Sequence, residues 1–364
     1  MFALLLAAVC PYTPNATTGF YQWAATKPAQ VLQRTAEQLH QLHAGLIRIY
    51  LGPRYDYQRP VLAANRARML PAKEIDRPEI RRLLDDPCLP TIVLSVYPAR
   101  DYGAGLDDIN LNRPWSAQDA EAESSQLRAL TERLYAVLGN QDKTVIIANS
   151  EADSRLLDVA NYTGSLPLAI ANITAWQRVR FNAINAARAA HPNAKLRVLN
   201  AFEISLVNLG IDKSGAQYTK VAGRGTNALR AIVPNVPFDL LSYSAYESTN
   251  SPYQTGAINT PPADITARLI RDLAVLGRAT KKPIMIGELG YSRPVFDKLP
   301  TGGVTQRLAA AFSAIEKARP VYVVLWQAFD GPLADGAPDG FGLLEPASIS
   351  RQTIQSFLNR PATK

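Results

Sequence analysis

Residues 144–153 read TVIIANSEAD, an apolar, β-branched run that ends in a polar tetrad carrying Glu151. The run is too short for a helix and lacks the alternation of a half-solvated strand. Both features fit a strand buried on two faces, as in a parallel sheet covered by helices. Six other stretches share this character: GLIRIYLG (45–52), TIVLSVY (91–97), LRVLNAF (196–202), DLLSYSAY (239–246), PIMIGE (283–288) and YVVLWQ (322–327). Between them, PAQVLQRTAEQLHQLH, PEIRRLLDD, SAQDAEAESSQLRALTERLYAVLG, ITAWQRVRFNAINAARAAH, ADITARLIRDLAVLGRAT and TQRLAAAFSAIEKAR repeat apolar residues at helical spacing. Pro28, Ser116 and Asp264 stand at or near helix starts, where such residues fit.

Alternating strands and helices in 364 residues leave two architectures, an open doubly wound sheet or a closed (β/α)8 barrel. An eighth strand would favour the barrel. FALLLAAV (2–9) is read as that first strand in preference to a secretory leader, because it lacks a basic flank and a good small-x-small cleavage site. It is also short of the roughly 20 apolar residues that span a bilayer. On this reading PYTPNATTGFYQWAAT (11–26) is the first loop at the catalytic face. No linker, compositional shift or repeat divides the chain, so residues 1–364 are expected to form a single α/β domain, a (β/α)8 TIM barrel.

Composition excludes several classes of function. The chain is 47% apolar and 19% charged, as a globular protein is. Its formal charge is +8, yet the longest basic groupings are the pairs Arg81-Arg82 and Lys281-Lys282, which reads as solvated surface rather than a nucleic-acid footprint. Cys10 and Cys88 show no CxxC spacing; a zinc site or disulfide framework is not indicated, and a single bridge stays open. His40, His43 and His191 fall on helices or just beyond them, not at strand ends where a barrel holds catalytic metals. There is no GxSxG elbow, and GRGTNALR (223–230) follows no strand, so it reads as a turn rather than a phosphate cradle. Neither metal nor organic cofactor is expected, nor is a membrane span.

Barrel enzymes build their sites at the C-terminal ends of the strands. Here those ends carry Arg48, Tyr97, then Asn149, Ser150 and Glu151, then Asn200 and Glu203, Ser244 and Tyr246, Glu288, and finally Trp326 and Gln327. A structural role, Glu288 pairing with Arg48 or Glu151 sitting at a helix start, would explain either carboxylate alone but explains the two together less readily. Two carboxylates across an aromatic-lined cleft are the apparatus of glycoside hydrolysis. In that scheme Arg48 and Tyr246 hold Glu288 ionised, Glu151 keeps its proton in a less polar setting, and Trp326 offers a flat floor to a sugar ring.

The Arg of LIRIY, the Glu of ANSEAD, the second Tyr of SYSAY, the Glu of IGELGYS and the Trp of VLWQAF together resemble the clan A, cellulase-like retaining glycoside hydrolases with a (β/α)8 barrel. The closing DGFGLLEPASISRQTIQSFL is similar to the end of many such enzymes. The resemblance implies Glu151 as acid/base and Glu288 as nucleophile, with Arg48, Tyr97, Asn149, Asn200, Tyr246 and Trp326 binding a β-linked oligosaccharide or polysaccharide. A monomer is expected, and a polysaccharide substrate would favour secretion or periplasmic export. Two departures stand out: Ser150 separates Asn149 from Glu151, where the family has Asn directly before the acid/base, and Ser244 replaces a common His. The alternative is a carbohydrate-binding barrel without catalysis, or a displaced pair drawing on Glu203 or Asp330.

Overall fold

The structure, a computed structural model, describes residues 9–22, 28–51, 71–96, 113–149, 151–156, 165–211, 218–220, 225–249, 261–292, 297–298, 303–330, 342–344 and 350–358. Its strands are β1 (Asn15–Gln22), β2 (Ala44–Tyr50), β3 (Thr91–Ser95), β4 (Thr144–Ala148), β5 (Arg197–Ile204), β6 (Leu209–Ile211), β7 (Tyr218–Lys220), β8 (Leu240–Ser244), β9 (Ile284–Leu289) and β10 (Tyr322–Trp326). Eight of them close a barrel in the order β1-β2-β3-β4-β5-β8-β9-β10 and back to β1. Every neighbour in the ring is parallel, while β6 and β7 form a small antiparallel pair outside it.

The seven apolar runs all become barrel strands. The eighth strand does not lie where the sequence suggested. Residues 2–8 fall outside the described residues and Val9 is exposed, whereas NATTGFYQ, expected as a catalytic-face loop, is β1. Thr, Gly and Gln hide this strand from a search for apolar runs. Gly19 shows why it forms: a Cβ there would lie 1.6 Å from the Leu46 carbonyl oxygen, so only glycine permits this approach to β2.

Side chains alternate between two apolar compartments, which accounts for the unbroken hydrophobic runs. Leu46, Val93, Ile146, Ala201, Met285 and Val324 fill the barrel interior. Ile47, Ile92, Ile147, Phe202 and Ile286 face outward into the layer shared with the helices. The expected helices appear as Pro28–Gln41, Pro78–Asp85, Ala117–Leu138, Leu166–Ala190, Pro262–Thr280 and Val304–Ala318. The fourth begins about two turns before the apolar period suggests, because the Ser165 hydroxyl accepts the Leu168 N–H and Pro167 occupies the first turn. Ser116 and Asp119 form a reciprocal capping box on the third. Behind the sheet, Arg180 pairs with Glu123 at 2.7 Å and donates to the carbonyls of Val96 and Ala148, tying off the ends of β3 and β4.

Cys10 and Cys88 are joined in a disulfide with Cα atoms 5.0 Å apart. It connects the chain entering β1 to the chain entering β3, at the end of the barrel opposite the mouth. Among the described residues no helix is long and apolar enough to cross a membrane.

Candidate active site

The mouth is organised around Arg48. Alternation along β2 turns its side chain inward, where it is 1% exposed and stacks over the Tyr21 ring at 4.4 Å. Its Nε donates to Ser95 Oγ at 2.8 Å, and Nη1 donates to the Gly287 carbonyl at 2.9 Å. Nη1 and Nη2 also donate to the two oxygens of Glu203 at 2.6 and 2.9 Å, a bidentate pair. Ser242 adds a hydroxyl donor to the same carboxylate at 2.8 Å. Glu288 is the guanidinium's second anion, 3.6 Å from Nη1.

Strict alternation would not deliver Glu288 to this cluster. Met285 faces inward and Ile286 outward, so residue 288 should face outward as well. The register prevents this. Tyr243 and Ser244 pair with Ile286 and Glu288, and Val323 and Leu325 pair with Ile286 and Leu289, so β9 holds one extra residue against both neighbours. This bulge turns Gly287 and Glu288 inward in succession and restores Leu289 to the outer layer. The first bulged position must be small, because a Cβ on Gly287 would meet Ser242 Oγ at 2.1 Å and Glu203 Oε2 at 2.2 Å. Tyr246, just past β8, donates its hydroxyl to Glu288 Oε2 at 3.1 Å.

Glu151 stands at the end of β4, where a short helical turn begins, and its carboxylate accepts a hydrogen bond from Ser154 at 2.8 Å. Burial pushes its pKa up to about 7, with Glu203 and Asp153 adding repulsion against the Ser154 bond. Glu288 is also held well above the usual carboxylate range by burial; Arg48 and Tyr246 oppose the rise, while Glu203 and Glu151 add to it. The two carboxyls therefore feel one another electrostatically across the mouth. Trp326 closes one side, turned inward at the end of β10 with its ring edge-on to Tyr21, centroids 4.9 Å apart.

The polar tetrad that ends the opening stretch thus divides its work. Asp153, fully buried, accepts the backbone N–H groups of Ser205, Leu206 and Ala228, and burial raises its pKa to about 6. Glu247 does the same for Val207, Asn208 and Leu209. These two carboxylates pin the segment that leaves β5, a task the sequence did not advertise.

Two expected sugar ligands are placed elsewhere. Asn200 lies on the outward face of β5, where it accepts from Gln177 at 2.7 Å and donates to the Ile147 carbonyl. Asn149 is fully buried, with Oδ1 accepting the Glu203 N–H at 2.8 Å and Nδ2 donating to the Glu203 carbonyl. It therefore ties β4 to β5 and has no surface to offer a ligand. Tyr97 lies outside the described residues. Glu203 sits deeper than expected, since β5 continues to Ile204 and carries it inside the barrel. Among the described residues, His40, Asp86 and Cys88 come close enough to suggest a metal set, but the Cys88 sulfur is bonded to Cys10 and His40 is paired with Asp86.

No protein-family model matches the sequence, and no curated protein does. Solved structures do. A GH5_18 protein from Bifidobacterium longum subsp. infantis superposes with TM-score 0.59 at 11% identity, over 96% of this chain and 81% of that one. A GH5-4 broad-specificity endoglucanase from Ruminococcus champanellensis, solved with bound cellotriose, gives 0.55 at 12% identity over 95% and 96%. A β-glucuronidase from an uncultured Clostridium gives 0.54 at 13%, with this chain spanning half of its length. What this chain shares with them is the fold, a single closed (β/α)8 barrel of the kind found in cellulase-like glycoside hydrolases.

Proposed function

We propose that the protein is a retaining O-glycoside hydrolase of β-linked glycans, with Glu288 as nucleophile and Glu151 as acid/base. The observation that carries this reading is the contrast between two largely buried carboxyls at one barrel mouth. Glu288 has a guanidinium at 3.6 Å and a phenol at 3.1 Å; for Glu151 the structure gives a hydroxyl partner and acidic neighbours. Burial raises the pKa of both carboxyls, Glu288 included. Only Glu288 has the Arg48 cation and the Tyr246 phenol beside it, so when the pair shares one proton the charge falls to Glu288 and the proton to Glu151. Glu151 then protonates the leaving oxygen as Glu288 attacks the anomeric carbon. Once the aglycone leaves, the Glu151 carboxylate takes a proton from the water that releases the glycosyl-enzyme. Trp326 gives the ring an apolar surface to rest on. The GH5 neighbours, one of which holds cellotriose, support a β-linked glycan as substrate. The Cys10–Cys88 bridge supports an oxidising compartment, consistent with a polymeric substrate outside the cytoplasm.

The test is hydrolysis of a panel of aryl β-glycosides and β-linked polysaccharides, with the anomer formed first followed by proton NMR. The β-anomer should appear first, and Glu288→Gln should lose turnover by about 10³-fold or more. Glu288→Gly should regain turnover with azide and give a glycosyl azide of inverted configuration. Unchanged turnover in Glu288→Gln, or an inverted first product from the wild type, overturns the assignment.

A further inference from the structure

Arg48 is one cation serving two anions, and it serves them unequally. Glu203 takes both outer guanidinium nitrogens at 2.6 and 2.9 Å, is fully buried, and is locked from the other side by Ser242. Glu288 lies 3.6 Å from a nitrogen already engaged with Glu203 and with the Gly287 carbonyl. The bulge leaves a Cβ-sized space at Gly287, and Glu203 Oε2 and Ser242 Oγ occupy it, so the pair sits directly beneath the nucleophile's strand. We infer that Glu203 is a positioning residue that holds the Arg48 guanidinium under Glu288 while taking most of its charge, leaving the Glu288 carboxylate only partly compensated.

This inference deepens the proposed reading and rests on Glu288 being the nucleophile. Among the described residues, the charged and titratable groups around Glu288 are Tyr21 from β1, Arg48 from β2, Glu151 after β4, Glu203 from β5 and Tyr246 after β8. Of these only Arg48 is cationic, so at a given burial whatever shares its charge changes how readily Glu288 ionises. A carboxylate freed from tight ion pairing is the stronger nucleophile toward an anomeric carbon. It also pairs with a proton at higher pH, so the acidic limb of activity should sit higher than an arginine neighbour alone would put it.

The test compares wild type, Glu203→Gln and Glu203→Asp by the pH profile of kcat/KM and by titrating the Glu288 carboxyl carbon in NMR. Glutamine removes the competing charge, so the acidic limb and the Glu288 titration should both move to lower pH by about 1 unit or more. Aspartate keeps the charge and should leave both near wild type. A purely structural role would reduce the yield of folded enzyme without moving either midpoint, and unmoved midpoints overturn the inference. Should Glu203→Gln not fold, Ser242→Ala decides: without this donor Glu203 puts more of its charge onto Arg48, so the Glu288 midpoint should rise, and an unmoved midpoint overturns the inference. The two levels of failure are separable: an active Glu288→Gln sinks the nucleophile assignment, whereas an inactive Glu288→Gln with an unmoved Glu203→Gln profile sinks this inference alone.

Discussion

Glu151 and Glu288 are the same side chain made different by their neighbours, and the difference can be measured. Burial lifts Glu151 to about 7, so kcat/KM should fall on the alkaline side as pH rises through about 7, where the acid loses its proton. Glu151→Gln should remove that limb, slowing substrates with poor leaving groups far more than activated aryl glycosides. The same shift bears on stability. Between about 4.5, the ordinary value, and about 7, the folded state holds a proton that the unfolded chain has released, so stability falls as pH rises through that window. At pH 8 Glu151→Gln should therefore be more resistant to urea than wild type, by up to about 2–3 kcal/mol, with the gap closing near pH 4. No gain at pH 8 would mean the carboxyl lies in a more polar setting than its burial implies. At this scale the sequence marked the carboxylates, the arginine, the tyrosine and the tryptophan, because residue type and strand-end position suffice for them. It misplaced Asn149 and Asn200 because the direction of a side chain depends on register, which only pairing with neighbouring strands sets.

The most sensitive element is the bulged strand β9. Gly287→Ala forces a methyl group to within 2.1 Å of Ser242 Oγ and 2.2 Å of Glu203 Oε2, against groups that are fully buried and mutually bonded. Relief requires moving the strand or breaking the Glu203–Arg48 pair. The expected outcome is a loss of about 1–3 kcal/mol in denaturant stability together with at least about 10²-fold in kcat/KM. An active, fully stable Gly287→Ala would show that the bulge relaxes easily. The bulge was not legible in PIMIGE, where plain alternation sends Glu288 to the outer layer; the residue was reached through its position at the strand end. β1 was illegible for a related reason. Its place in the wall depends on Gly19 fitting against a β2 carbonyl, a contact between residues distant in sequence, while the more apolar stretch upstream drew the assignment.

At the scale of the whole molecule, the barrel and its seven apolar strands were legible because burial on both faces leaves an unmistakable pattern. The pairing of Cys10 with Cys88 was not, since two cysteines 78 residues apart carry no spacing signal. That bridge closes a long loop of the unfolded chain, so reduction or a Cys10→Ser/Cys88→Ser double change should lower stability by about 2–5 kcal/mol. The loss should appear as a lower Tm in calorimetry, with kcat/KM at 25 °C little changed, because the bridge lies at the far end of the barrel from the mouth. An unchanged Tm under reductant would remove the bridge from the stability of the fold. Barrel closure sets one further requirement, on timing. β1 pairs with β10 residue for residue, Thr18 against Val323 through Tyr21 against Trp326, so the first strand made must wait for the last. At about 5–20 residues per second, the roughly 300 residues between them take on the order of 15–60 s to synthesise. Throughout that interval β1 has an unpaired edge open to other chains. The step of biogenesis most exposed to aggregation is therefore the wait for the final strand, and a chain terminated before Tyr322 would never leave it.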